Sequence, residues 1–171
     1  CSTMEVRKFE LDLSLDNSCV MNESLFLNFS RLITKDQIKK GTVSVTLGTG
    51  SWASPFALTK TLTDASASAT GGTLNTLGGD YGLLYSTDNV ARGLVFYESG
   101  VVVLSTSSFD GVTDFFSASS GTSSIAQTFV SSSITASCDA LRRRVQNISF
   151  NNSTEINSTI YFCRVPHNDY N

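Results

Sequence analysis

The sequence predicts a mainly β fold: an antiparallel sheet or sandwich with one short α-helix near 137–146 and long Ser/Thr/Gly-rich loops. Three observations carry this expectation. Short apolar runs rich in Val, Phe and Tyr recur along the chain. The stretch Thr42-Val43-Ser44-Val45-Thr46-Leu47 alternates strictly, and only the window Ser137 to Val145 has helical spacing. The 171 residues suit a single domain over 1–171, in which about 70% of the unfolded surface is buried on folding.

The elements follow in order. Phe9, Leu11, Leu13 and Leu15 alternate with Glu10, Asp12 and Ser14, the pattern of a half-exposed strand. Val43, Val45 and Leu47 share one strand face, flanked by the turn chemistry of Lys39-Lys40-Gly41 and Gly48-Thr49-Gly50. From Ser51 to Asp80, with Pro55, Gly71-Gly72 and Gly78-Gly79, the chain reads as a long irregular surface stretch. Tyr81–Tyr85, Gly93–Tyr97 and Val101–Leu104 then predict a three-stranded antiparallel meander over 81–106, with Glu98-Ser99-Gly100 as a hairpin loop. These runs are almost continuously apolar, which suggests strands buried on both faces.

Phe109 to Ser133 is Ser-rich with scattered apolar residues, among them Phe115, Phe116, Ile125 and Phe129, and reads as loop or weakly patterned strand. In the helical window Ser137 is the expected N-cap, Asp139 lies in the first turn, and Leu141 and Val145 fall on one face. Arg142, Arg143 and Arg144 come toward the C-terminal end, where cations are favoured. Asn147–Phe150 and Thr159–Cys163 are the last expected strands, a hairpin around Asn152-Ser153-Thr154.

Composition narrows the function classes. With 12 basic and 15 acidic residues the formal charge is −3, against the basic surplus of a nucleic-acid-binding module. Charged residues are 16% of the chain, below the ~25% of an average soluble domain. Hydroxyl residues are abundant, at 27 Ser and 19 Thr. Disorder is not expected, because 11 Phe, 5 Tyr and many Val can offset the entropy of ordering. No apolar run approaches the ~18 residues of a membrane span, so no membrane partner is expected. Opening on Cys1, the chain reads as processed, trimmed or a segment; Cys1-Ser2 would also begin an acylated lipoprotein.

Chemistry-bearing residues are sparse. Cys1, Cys19, Cys138 and Cys163 have no Cys-x-x-Cys spacing, and with His167 as the sole imidazole no metal site is expected. Disulfides Cys1–Cys19 or Cys138–Cys163 are conceivable, but buried thiols are the favoured reading. His167 sits in a polar tail with only Asp169 close by, a poor basis for a catalytic triad. Gly78-Gly79 leads into a strand and not into a phosphate-binding helix. No catalytic residue and no cofactor is therefore expected, and a hydrolase using two distant carboxylates ranks third among the readings.

Two groups stand out as contact residues. Arg142, Arg143 and Arg144 point in different directions on a helix, as solvated charges or as contacts to a neighbouring subunit, and Phe115 and Phe116 join them as the expected subunit interface. Trp52 and Phe56, beside Pro55, are a candidate ligand platform for stacking on sugars, with Tyr170 as another exposed aromatic; a core role for Trp52 is the rival reading. Matches to the glycosylation sequon, among them Asn22, Asn28, Asn147, Asn152 and Asn157, matter only for a secreted eukaryotic protein.

Several stretches resemble a known group. Ile38-Lys39-Lys40-Gly41-Thr42-Val43-Ser44-Val45-Thr46-Leu47-Gly48 with Pro55-Phe56, Gly79-Asp80-Tyr81-Gly82-Leu83-Leu84-Tyr85, and Gly93–Tyr97 through Gly100–Leu104 resemble virion proteins of tailed bacteriophages. Arg144–Asn152, running on to Glu155–Arg164, is similar to structural proteins of contractile-tailed phages, especially those of marine bacteria and cyanobacteria. The likeness covers about half the chain and holds no catalytic motif. It implies a structural role in the tail, baseplate or neck of a virion. Copies of the same chain and other virion proteins would be its partners, with a host surface glycan as the alternative. Such proteins usually continue into further strands, so the resemblance implies a segment of a longer chain.

Overall fold

The computed structural model describes residues 11–12, 20–21, 23–68, 73–76, 79–112, 114–116, 125 and 131–164. In chain order the strands are β1 (Leu11–Asp12), β2 (Val20–Met21), β3 (Ser24–Asn28), β4 (Gln37–Ile38), β5 (Ser44–Gly48), β6 (Thr59–Thr63), β7 (Thr73–Thr76), β8 (Gly79–Ser86), β9 (Ala91–Phe96), β10 (Val101–Ser105), β11 (Val145–Ser149) and β12 (Asn152–Ser153). The helices are the single turn α1 (Arg31–Thr34) and α2 (Ile134–Arg144), and short 3-10 turns lie at Ala65–Ser68 and Thr106–Phe109.

The expected meander forms the centre of a mainly β fold. β8, β9 and β10 pair antiparallel within a curled sheet ordered β11-β5-β6-β8-β9-β10-β3. β8 is long enough to take two partners along one edge: β7 pairs with Gly79–Gly82, and β6 with Tyr85 and Ser86. The sheet's two faces share the apolar residues of the meander. Leu84, Val95, Val102 and Leu104 join Val45, Leu47 and Leu62 in the main core, with Ala140 and Leu141 of α2. Leu83, Leu94 and Val103 point the other way and pack with Tyr81, Tyr85 and Phe96. The meander strands are thus buried on both faces, as their continuous hydrophobicity indicates.

Within this core a buried carboxylate organises the chain. Asp64, just after β6, accepts from the backbone N–H of Val43 (2.8 Å) and Gly41 (2.9 Å) and from the Tyr97 hydroxyl (3.0 Å). The Tyr97 ring can reach this carboxylate because position 82 has no side chain: a Cβ on Gly82 would lie 2.0 Å from the Tyr97 hydroxyl. Lys40 extends the group, pairing with Asp80 and lying 5.9 Å from the Tyr97 ring centroid. Burial pushes the Tyr97 phenol well above its ordinary value, and the Asp64 charge adds to that shift.

Several expectations need correction. The irregular stretch 51–80 contains β6 and β7. β6, Thr-Lys-Thr-Leu-Thr, has Leu62 as its sole apolar residue, too few for the alternation to show. Helix α2 starts at Ile134, capped by the Ser133 hydroxyl accepting from the Ala136 N–H. Ser137 lies inside the helix, and Val145 opens β11. Thr159–Cys163 forms no strand; instead the preceding residues Asn152 and Ser153 pair with Ile38 and Gln37 of β4. Asn152 also donates its side-chain amide to the Ile33 carbonyl (2.8 Å), and the Glu155 N–H donates to Asp36 (2.8 Å). These bonds commit the connection to β4, so the expected hairpin with β11 does not close. Only Leu11 and Asp12 of the expected strand over 9–15 are described, in β1, and most of 109–133 lies outside the described residues.

Asp64→Ala strands buried donors and is expected to cost about 3 kcal/mol in denaturant unfolding, and Tyr97→Phe about half that. The raised phenol pKa gives a signed prediction. Its contribution to stability is complete below the unfolded value near 10 and is lost as pH rises above it. Tyr97→Phe removes that alkaline component from the pH dependence of the melting temperature.

Candidate functional site

α2 begins at the solvent and ends inside the protein. Ser137, Ala140, Leu141 and Arg144 form its buried stripe, at helical spacing. The Arg144 side chain is fully buried and spends its donors on backbone carbonyls. Nη1 donates to Gly48 (2.8 Å) and Gly50 (3.1 Å), Nη2 to Asp114 (2.9 Å), and Nε to Phe115 (3.1 Å). The Asp114 carboxylate lies 3.7 Å from Nη2 and supplies the counter-charge. Burial pulls the guanidinium below its ordinary value, and Asp114 opposes that shift.

Three aromatic rings surround this cation. The guanidinium carbon is 4.8 Å from the ring centroid of Phe56, 5.2 Å from that of Phe115 and 5.5 Å from that of Trp52. Phe56 comes so close because position 48 is glycine; a Cβ there would lie 2.5 Å from the ring. Trp52 meets Phe56 edge-on at 6.0 Å, and its backbone N–H donates to the Asp114 carboxylate (2.6 Å). Phe115 packs on Phe109 (5.0 Å) and Phe116 (5.3 Å).

Outside this cluster is a slot of about 320 Å³ lined by residues 52–56, Arg143 and Gln146. The structure therefore gathers Trp52, Phe56 and Arg143, three residues singled out from sequence, at one place. Arg143 is exposed and has no ion-pair partner among the described residues, whereas exposed Arg142 pairs with Asp139 (3.3 Å). Arg144 and Phe115 correct the expected subunit interface. Both are buried within their own chain, the first as the tie described above and the second as one wall of its cage, so neither side chain is available to a neighbour. Phe116 is half-buried on the core. Trp52 combines both readings, packed against the core on one side and lining the slot on the other.

The slot presents an aromatic wall, one cation and one side-chain amide, which suits binding. A shallower recess of about 250 Å³ is lined by Arg31, Asp36, Gln37, Glu98 and Glu155. Among the described residues no group of three or more His, Cys, Asp or Glu side chains is placed to hold a metal ion, and no helix is long and apolar enough to cross a membrane. Cys138 and Cys163 are exposed free thiols, which corrects the expectation that they are buried; Cys1, Cys19, His167 and Tyr170 lie outside the described residues. Comparison with protein-family models, curated proteins and solved structures finds no match for this chain.

Sequence reasoning misses the role of Arg144, although a signal exists: it stands three residues after Leu141 and four after Ala140, on the apolar face. Arg144→Lys keeps the charge but cannot reproduce the planar fork, and is expected to cost about 3 kcal/mol or more in denaturant unfolding. Arg142→Ala and Arg143→Ala should each stay within about 0.5 kcal/mol of the native chain.

Proposed function

We propose that this chain is a structural component of a tailed-bacteriophage particle, in the tail, baseplate or neck, where it packs against copies of itself and other virion proteins. The observation that carries the reading is the segment 154–164, which lies outside every helix and strand. There Ile156 is 89% exposed, Ile160 74%, Tyr161 84% and Phe162 93%. Burying such side chains contributes about 1.5–3 kcal/mol each, a strong drive toward a partner surface. The sequence resemblance to contractile-tail proteins points the same way, since its most specific stretch includes this segment. The reading assigns the protein no reaction and no cofactor.

A second reading has its own observation. The slot beside Trp52, with Arg143 and Gln146 on its rim, offers a ring for stacking and polar groups for hydroxyls, as a host surface glycan would require.

Mass spectrometry of purified virions is expected to find the chain at a fixed copy number per particle; its absence from virions overturns the structural reading. The protein has one Trp, so a fluorescence titration with host polysaccharide reports on the slot alone. A saturable change that weakens in Arg143→Ala favours the glycan reading, and a flat titration leaves assembly.

A further inference from the structure

We infer that residues 156–163 of one copy add as a strand to the outer edge of β11 in a second copy, joining subunits head to tail; this rests on the assembly reading above. The segment has the pattern of a strand without a sheet. Ile156, Ser158, Ile160 and Phe162 alternate with Asn157, Thr159, Tyr161 and Cys163, so three large apolar side chains fall on one face. It contains no charge, Pro or Gly. Among the described residues it has no strand partner, because Asn152 and Ser153 have bound the chain to β4.

The receiving surface is in the same molecule. β11 pairs with β5 along one edge, and among the described residues no strand pairs along the other. Its sequence, Val-Gln-Asn-Ile-Ser, is uncharged and lacks the Lys or Pro that commonly protects a sheet edge. Gln146, Asn147 and Ser149 are exposed along it. Strand addition of this kind takes its affinity from main-chain hydrogen bonds.

Charge sets the direction. Arg143, just before β11, and Glu155, just before the segment, both lack an ion-pair partner among the described residues. A parallel alignment brings these opposite charges together and carries Arg164 past the far end. An antiparallel one would set Arg164 against Arg143. The donating and accepting surfaces are different parts of the chain, so the contact is heterologous and propagates to a ring or a filament.

Sedimentation of the 171-residue chain over rising concentration tests this. The native mass should grow with concentration. I160K/F162K in the segment and Q146K/N147K on the edge alter exposed side chains only, and each should raise the half-assembly concentration about tenfold or more. Mixed, the two variants should associate but stop at a pair, since only one intact segment and one intact edge remain. Arg143→Glu and Glu155→Arg should each weaken assembly, and together restore it. A native chain that stays monomeric overturns the inference, as do variants that assemble like the native chain. So does a monomer whose β11 amides lose exchange protection in I160K/F162K, because the segment then pairs within its own chain. Presence in virions is assayed separately, so this contact can fail while the structural role stands.

Discussion

A guanidinium cut off from water must find its hydrogen bonds inside the protein, and Arg144 finds them on segments that are distant in sequence. The end of β5, the Asp114–Phe115 segment and the end of α2 meet on one side chain. Leaving those donors unmade in the interior would cost several kcal/mol, so the segments are held wherever the fork can reach their carbonyls. The aromatic cage follows from the same constraint, since Trp52, Phe56 and Phe115 screen the cation while their π-faces attract it. Trp52 and Phe56 of this cluster also form one wall of the slot.

Asp64 does the complementary work at another part of the sheet. There an anion gathers backbone N–H groups and a phenol, as the Arg144 cation gathers carbonyls. In a chain with only 16% charged residues, two of the few charges are thus spent inside the protein as organisers of irregular backbone. That explains how a polypeptide so rich in Ser and Thr holds long connections in place: the hydroxyls supply local caps, such as Ser133 on α2, and the buried charges supply the long-range ties.

The legible parts of the sequence were those where one residue type repeats at one spacing. The Val43–Val45–Leu47 alternation and the apolar runs of the meander gave β5, β8, β9 and β10 directly, because burial and period agree there. β6 shows no apolar alternation, since Leu62 is its sole apolar residue, and it is placed by its pairing with β5 and β8. Thr159–Cys163 failed for the opposite reason: its pattern is that of a strand, but Asn152 and Ser153 carry the chain to β4. Of the site, Trp52 and Phe56 were found as a pair, and Arg143 as one of three arginines. Arg144 shares the apolar face with Ala140 and Leu141, but inside a run of three arginines that spacing reads as surface charge.

The sheet order has a consequence for how the chain is made. β5 is made before the meander, yet one of its two neighbours, β11, is separated from it by that entire meander. Until β11 leaves the ribosome, an uncapped edge of β5 is open to any nascent chain on the same message. The carbonyls of Gly48 and Gly50 also wait for Arg144, which is translated immediately before β11. Closure of the sheet and arrival of the buried cation are therefore one event, and it follows synthesis of the meander.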